Sequence, residues 1–109
     1  MSGANHNVDL IIPRLWLGDY ISSQSQQFLS TEKVTVIVNC TKDLPFVSCH
    51  NIYKYRVPVH DNLQSTEILS MTYYLELILP IIHRHYQLGD IILVHCAAGM
   101  QRSAIVVLC

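Results

Sequence analysis

Cys96 and Arg102 enclose Ala97, Ala98, Gly99, Met100 and Gln101, five small or uncharged residues, directly after the apolar run Ile91–His95. A cysteine and an arginine at this spacing can aim a sulfur nucleophile at a bound anion. If the apolar run is a buried strand and a helix opens near Arg102, the turn between them points successive backbone N–H groups into one concavity. The helix N-terminus adds positive potential there. Gly99 suits the middle of such a turn, where positive φ or close backbone approach is needed. Arg102 can fold its guanidinium over the concavity and hold two oxygens of a phosphate. The amides, the helix end and the arginine each favour thiolate over thiol at Cys96. The chemistry implied is attack of a thiolate on phosphorus.

The elements that must position this turn are legible on either side of it. "IILVH" (Ile91–His95) and "VTVIVNC" (Val34–Cys40) are continuous apolar runs, the pattern of strands buried on both faces. "NIYKYRVPV" (Asn51–Val59) alternates more and reads as a further strand running into the loop "HDNLQST". "LIIPRLWLG" (Leu10–Gly18), broken by Pro13, reads as an edge strand. A helix is expected after it, over "DYISSQSQQFLSTEK", capped by Asp19 or Ser22. A long helix is expected from Ser65 to Tyr86, with a core-facing stripe of Ile68, Met71, Leu75, Ile78 and Ile82. A second stripe, Leu69, Tyr73, Leu77 and Ile81, runs beside it. Pro80 is expected to kink or divide this helix, and Gly89 to close it. Strands alternating with helices predict an α/β domain with a mainly parallel central sheet flanked by helices. Sites in such sheets form at the C-terminal strand ends, here after Cys40, Val59 and His95.

With the turn placed in this frame, "HCAAGMQRS" resembles the HCxxGxxR signature, followed by Ser or Thr, of cysteine-based protein phosphatases, in particular the dual-specificity branch. "IIPRLWLGDYISS", "VTVIVNCT" and "YRVPVHDN" are similar to that branch's opening segment, core strand and acid-bearing segment, in the same order. The resemblance runs from about Ile12 to Val107. It implies Cys96 as the nucleophile that forms a phosphocysteine, and Arg102 as the ligand of substrate and transition-state oxygens. The amides from Ala97 to Arg102 would complete the phosphate cradle. Asp61 would protonate the leaving oxygen and then activate water. Ser103 would hydrogen-bond the Cys96 sulfur, and His95 would anchor the loop from behind. In the family's sheet the strand ending at Cys40 neighbours the one ending at Cys96, which makes Cys40 a candidate redox partner. No metal or cofactor is implied. The neutral Ala97, Ala98, Met100 and Gln101 argue against a lipid-directed member, and no tyrosine-specific loop that would deepen the pocket is seen, which favours a shallow site that takes phosphotyrosine and phosphoserine or phosphothreonine. Several short members of this branch come from large DNA viruses.

Composition bounds the alternatives. The chain has 109 residues, 50% hydrophobic and 14% charged, with a formal net charge of −1. That is one domain, residues 1–109, with enough apolar content for a core. The charge balance argues against nucleic-acid binding driven by phosphate neutralisation. No apolar run is long enough for a membrane span, and "MSGANHNVDL" carries no secretory pattern. A reducing compartment, cytoplasmic or nuclear, is expected (host cytoplasm or virion for a viral member), with Cys40, Cys49, Cys96 and Cys109 as thiols. His83 and His85 are badly spaced for a metal. His60, His83 and His85 are expected to face solvent, and Trp16 and the helix tyrosines to be core or interface residues.

The rival readings are an RNA 5′-triphosphatase or a phosphoinositide phosphatase on the same fold, and a phosphate-binding module with little activity. A thiol hydrolase pairing Cys96 with His60 would leave Arg102 without a role. Family members extend beyond the signature helix, whereas this sequence stops at Cys109. A partner besides phosphoprotein is therefore expected: a second copy of the chain, meeting the first through the Leu69–Ile81 stripe and the apolar "AIVVLC" segment.

Overall fold

The computed structural model describes residues 8–41, 44–49, 51–58 and 65–95, with backbone only for 65–72 and 75. The two β-branched runs form its centre. Strands β3 (Val36–Asn39) and β5 (Ile92–His95) are buried at every position and pair in parallel. Around them lie β1 (Val8–Ile12), β2 (Leu15–Gly18) and β4 (Tyr53–Arg56), in the order β1-β2-β5-β3-β4 among the described residues. Only the β1–β2 pairing is antiparallel, so the sheet is mainly parallel, as expected.

Side chains alternate across this sheet as strand geometry requires. Val36, Val38, Cys40, Ile92 and Val94 join Val57 and Ile78 on one face, under the long helix α3 (Ser65–Gln87). Ile37 and Leu93 join Leu29, Val34 and Val47 on the other, where Trp16 meets Phe28 edge-on at 5.2 Å. With both faces covered, continuous apolar strands are the only pattern that leaves no buried polar row.

Two elements differ from expectation. The Leu10–Gly18 stretch is a hairpin of β1 and β2 rather than one strand. Pro13 ends the first strand, and Arg14 turns the chain with φ 71, unusual for a residue bearing a Cβ. That conformation is held by distant contacts: Arg14 Nη1 donates to the Tyr86 carbonyl at 2.7 Å, and its guanidinium lies 4.1 Å from the centre of the Tyr86 ring. The following helix is likewise two, α1 (Tyr20–Gln24) and α2 (Gln26–Thr31). Ser25 ends the first and caps the second, its hydroxyl accepting from Phe28 N–H at 3.1 Å. Asp19 is the cap of α1, and Ser22 is buried inside that helix.

Helix α3 runs as one helix through Pro80, so of the two outcomes expected there, a kink or a division, the division does not occur. Pro80 is exposed, and the carbonyl that loses its N–H partner can turn to water. Ile78 is buried and Ile82 half-buried, whereas Tyr73, Leu77 and Ile81 are 59%, 52% and 36% exposed. The helix closes as read. Gly89 has φ 91, and Asp90 N–H reaches the His85 carbonyl while Gly89 N–H reaches that of Tyr86.

Candidate active site

The four parallel strands end together. Gly18 pairs with His95, His95 with Asn39, and Asn39 with Arg56, giving one row across the C-terminal edge of the sheet. Every loop named from the sequence leaves from this row. His95 immediately precedes Cys96, and Arg56 stands five positions before Asp61. Cys96, Ala97, Ala98, Gly99, Met100, Gln101, Arg102, Ser103 and Asp61 themselves lie outside the described residues, as does His60. His95 and Cys40 lie within them.

Cys40 continues β3 by one residue. Its N–H donates to the His95 carbonyl at 2.7 Å, and its side chain is fully buried on the α3 face. His95 is also fully buried, with its ring 6.3 Å from that of Tyr20. Gly18 completes the row at a point where no side chain fits: a Cβ would run into the Ser22 hydroxyl and stand 3.1 Å from Leu93 Cδ1. Its absence lets α1 sit directly on the strand ends.

The exit of β3 is laced by side chains the sequence reading did not single out. Asn39 is fully buried; its Oδ1 accepts from Thr41 N–H at 3.1 Å and from the Thr41 hydroxyl at 2.6 Å. Its Nδ2 donates to the Leu44 carbonyl at 2.9 Å, and Leu44 N–H donates to the Thr41 hydroxyl at 3.2 Å. Arg56 reaches over from β4, giving 2.9 Å hydrogen bonds to the carbonyls of Thr41 and Leu44. Its guanidinium lies 4.9 Å from the centre of the Phe46 ring. The only sequence signal was an Asn at a strand end, which turn chemistry makes commonplace.

At the opposite edge His85 is half-buried rather than solvent-facing, while His83 is exposed as read. The carboxylate of Asp90 can only accept, so His85 Nδ1 carries the hydrogen toward Asp90 Oδ2 at 2.8 Å. Nε2 faces the Tyr55 hydroxyl at 2.7 Å, and Thr35 donates to Asp90 Oδ1 at 2.9 Å. The hydrogen bond from His85 holds the Asp90 carboxyl below its ordinary range, opposed by burial and aided by Thr35 and Arg14. A cavity of about 400 Å³ opens at this edge too, over Leu29, Val34 and Ile52 with Lys33 and Cys49 at its sides. The cavity, Thr35 and Asp90 sit at the strand starts, while Tyr55 reaches His85 from one position before Arg56 in β4. Among the described residues no cluster of His, Cys, Asp or Glu could hold a metal. No helix among them is long and apolar enough to cross a membrane.

Residues 15–109 match the family described as dual specificity phosphatase, catalytic domain. Among solved structures, that of DUSP15 is 26% identical with a TM-score of 0.81, over 92% of this chain and 61% of that one. Human DUSP28 is 25% identical with a TM-score of 0.78, over 91% and 64%. OH1 from the Orf virus, described as a tyrosine phosphatase with triple substrate specificity, shares the fold at 18% identity and a TM-score of 0.73, over 91% and 55%. The chain thus spans less than two thirds of each of these relatives.

Proposed function

Because the chain belongs to the dual specificity phosphatase catalytic-domain family, we propose that it is a cysteine-dependent phosphoprotein phosphatase acting on phosphotyrosine and on phosphoserine or phosphothreonine. The observation that carries the reading is the row Gly18–His95–Asn39–Arg56. It gathers the departures toward Cys96 and Asp61 at one edge of a parallel sheet, where such sheets build their sites.

In this mechanism the Cys96 thiolate attacks phosphorus, the bond from phosphorus to the substrate oxygen breaks, and Asp61 gives that oxygen its proton. The amides of Ala97, Ala98, Gly99, Met100, Gln101 and Arg102, with the Arg102 guanidinium, take the charge on the phosphoryl oxygens. The Asp61 carboxylate then takes a proton from water as its oxygen attacks phosphorus. The sulfur–phosphorus bond breaks, and a hydrogen bond from Ser103 stabilises the departing thiolate. His95, buried near Tyr20 and directly preceding Cys96 in the chain, fits the part of an anchor.

Residues 1–109 act as one catalytic domain in this reading, in the cytoplasm or nucleus. The exposed Tyr73, Leu77 and Ile81 on α3 support association with a second copy of the chain. Phosphate release from phosphotyrosine and phosphothreonine peptides in the presence of EDTA tests the activity. It should vanish in Cys96→Ser; turnover that survives in that variant, or that EDTA abolishes, would remove the thiol mechanism.

A further inference from the structure

Arg56 is charged and half-buried, yet among the described residues it meets no carboxylate. Its two outer nitrogens each give a 2.9 Å hydrogen bond, one to the Thr41 carbonyl and one to that of Leu44. Its flat face lies against Phe46. Withdrawing a guanidinium from water for two backbone carbonyls is a poor route to stability alone. It is a good way to fix geometry, because the planar fork holds two acceptors at a set distance and angle. The carbonyls belong to the exit of β3, and the same exit is tied from beneath by Asn39.

The backbone of Arg56 meanwhile belongs to β4, where it pairs with Asn39, and Val57 N–H donates to the Asn39 carbonyl at 2.8 Å. One side chain therefore joins two of the four strand ends at the row. The β3 exit abuts the His95 carbonyl through Cys40, and the β4 exit leads to Asp61. We propose that Arg56 is a positioning residue for the reaction, one that locks the β3 and β4 exits together and through the β4 exit assists the presentation of Asp61 to the substrate. This rests on Asp61 being the general acid.

Lysine in place of Arg56 keeps the charge but offers a single point that cannot span both carbonyls. In Arg56→Lys, kcat/KM for a phosphothreonine peptide should fall roughly 3- to 10-fold, a fraction of the about 10²–10⁴ a general acid supplies. The kcat/KM for an aryl phosphate with a good leaving group should stay within about twofold, since the steps it reports need little proton donation. Amide exchange at Thr41 and Leu44 should speed up in the same variant, with the melting temperature recorded alongside. Equal losses on both substrates, no loss on either, or unchanged exchange at these amides would overturn the proposal. Asp61→Asn is the separating control. If it shows no dependence on leaving group, the assignment of the acid falls and takes Arg56's positioning role with it. If it shows the dependence and Arg56→Lys does not, only the proposal about Arg56 fails.

Discussion

The amide of Cys40 hydrogen-bonds the carbonyl of His95 at 2.7 Å, continuing the parallel register of β3 and β5 by one residue beyond Asn39 and His95. A buried thiol thus stands one residue beyond the last rung of β3, bonded through its own amide to the residue that precedes Cys96 in the chain.

This register predicts reversible oxidation. Peroxide would convert the Cys96 thiolate to a sulfenic acid, with water as the reduced product. Attack by the Cys40 thiol would release a second water and form a disulfide that a thiol reductant reopens. Peptide mapping after mild peroxide should find the Cys40–Cys96 bridge in the wild-type chain and sulfinic acid at Cys96 in Cys40→Ser. Sulfinic acid at Cys96 in both would leave Cys40 as a small core residue and nothing more.

A second prediction separates chemistry from architecture at Asp61. In kcat/KM, which reports the steps up to phosphocysteine formation and not its hydrolysis, Asp61→Ala should slow poor leaving groups most, by about 10²-fold or more, and good ones little. A series of aryl phosphates of graded leaving-group acidity measures this as a slope. A uniform loss along the series would make Asp61 a structural residue.

At the far edge, Asp90 contributes to the pH dependence of stability. Its carboxyl ionises below the ordinary range because His85 donates to it. The folded state therefore holds fewer protons at this site than the unfolded state. Its contribution is present above the ordinary carboxylate range and is lost as pH falls through the lowered value. Asp90 is partly open to solvent, so the effect is modest. Asp90→Asn should cost about 0.5–1.5 kcal/mol near neutral pH and flatten the acid limb of a stability-versus-pH curve. An unchanged acid limb would show that His85 and Asp90 are not coupled in this way.

The apolar face of α3 gives a fourth expectation. Tyr73, Leu77 and Ile81 are exposed along one side of the helix, and their burial against a second copy would be favourable at about 25 cal/mol per Å². Light scattering coupled to size exclusion should report a mass above that of one chain at micromolar concentration, and Leu77→Lys should lower it. A monodisperse single chain that unfolds cooperatively would contradict the association.

What could be read from the sequence was what is local. Val36–Asn39 and Ile92–His95 announce themselves because full burial on both faces demands continuous apolar residues. The Cys96–Ser103 motif, which lies outside the described residues, could be singled out because its residues are contiguous in the chain. What escaped depends on partners far away. The Arg14 turn is held by Tyr86, 72 positions distant, so nothing beside Pro13 betrays a hairpin. The helix after Asp19 breaks at Ser25, whose capping role competes with a helical pattern too weak to exclude either outcome. His85 lies in a polar stretch, and only the return of the chain through Asp90 and Tyr55 buries it. The clamp of Arg56 on Thr41 and Leu44 spans 15 and 12 positions and leaves no periodic trace.

If Cys96 is the nucleophile, phosphate passes through its sulfur. Rapid mixing with an aryl phosphate, denaturation within the first turnover at a pH that preserves the sulfur–phosphorus bond, and peptide mass mapping would capture it there. One phosphoryl group is expected on the peptide containing Cys96, increased in amount when Asp61→Asn slows the hydrolytic step and absent from Cys96→Ser. A phosphoryl group on any other residue, or steady turnover with none trapped at Cys96 in either background, would contradict it.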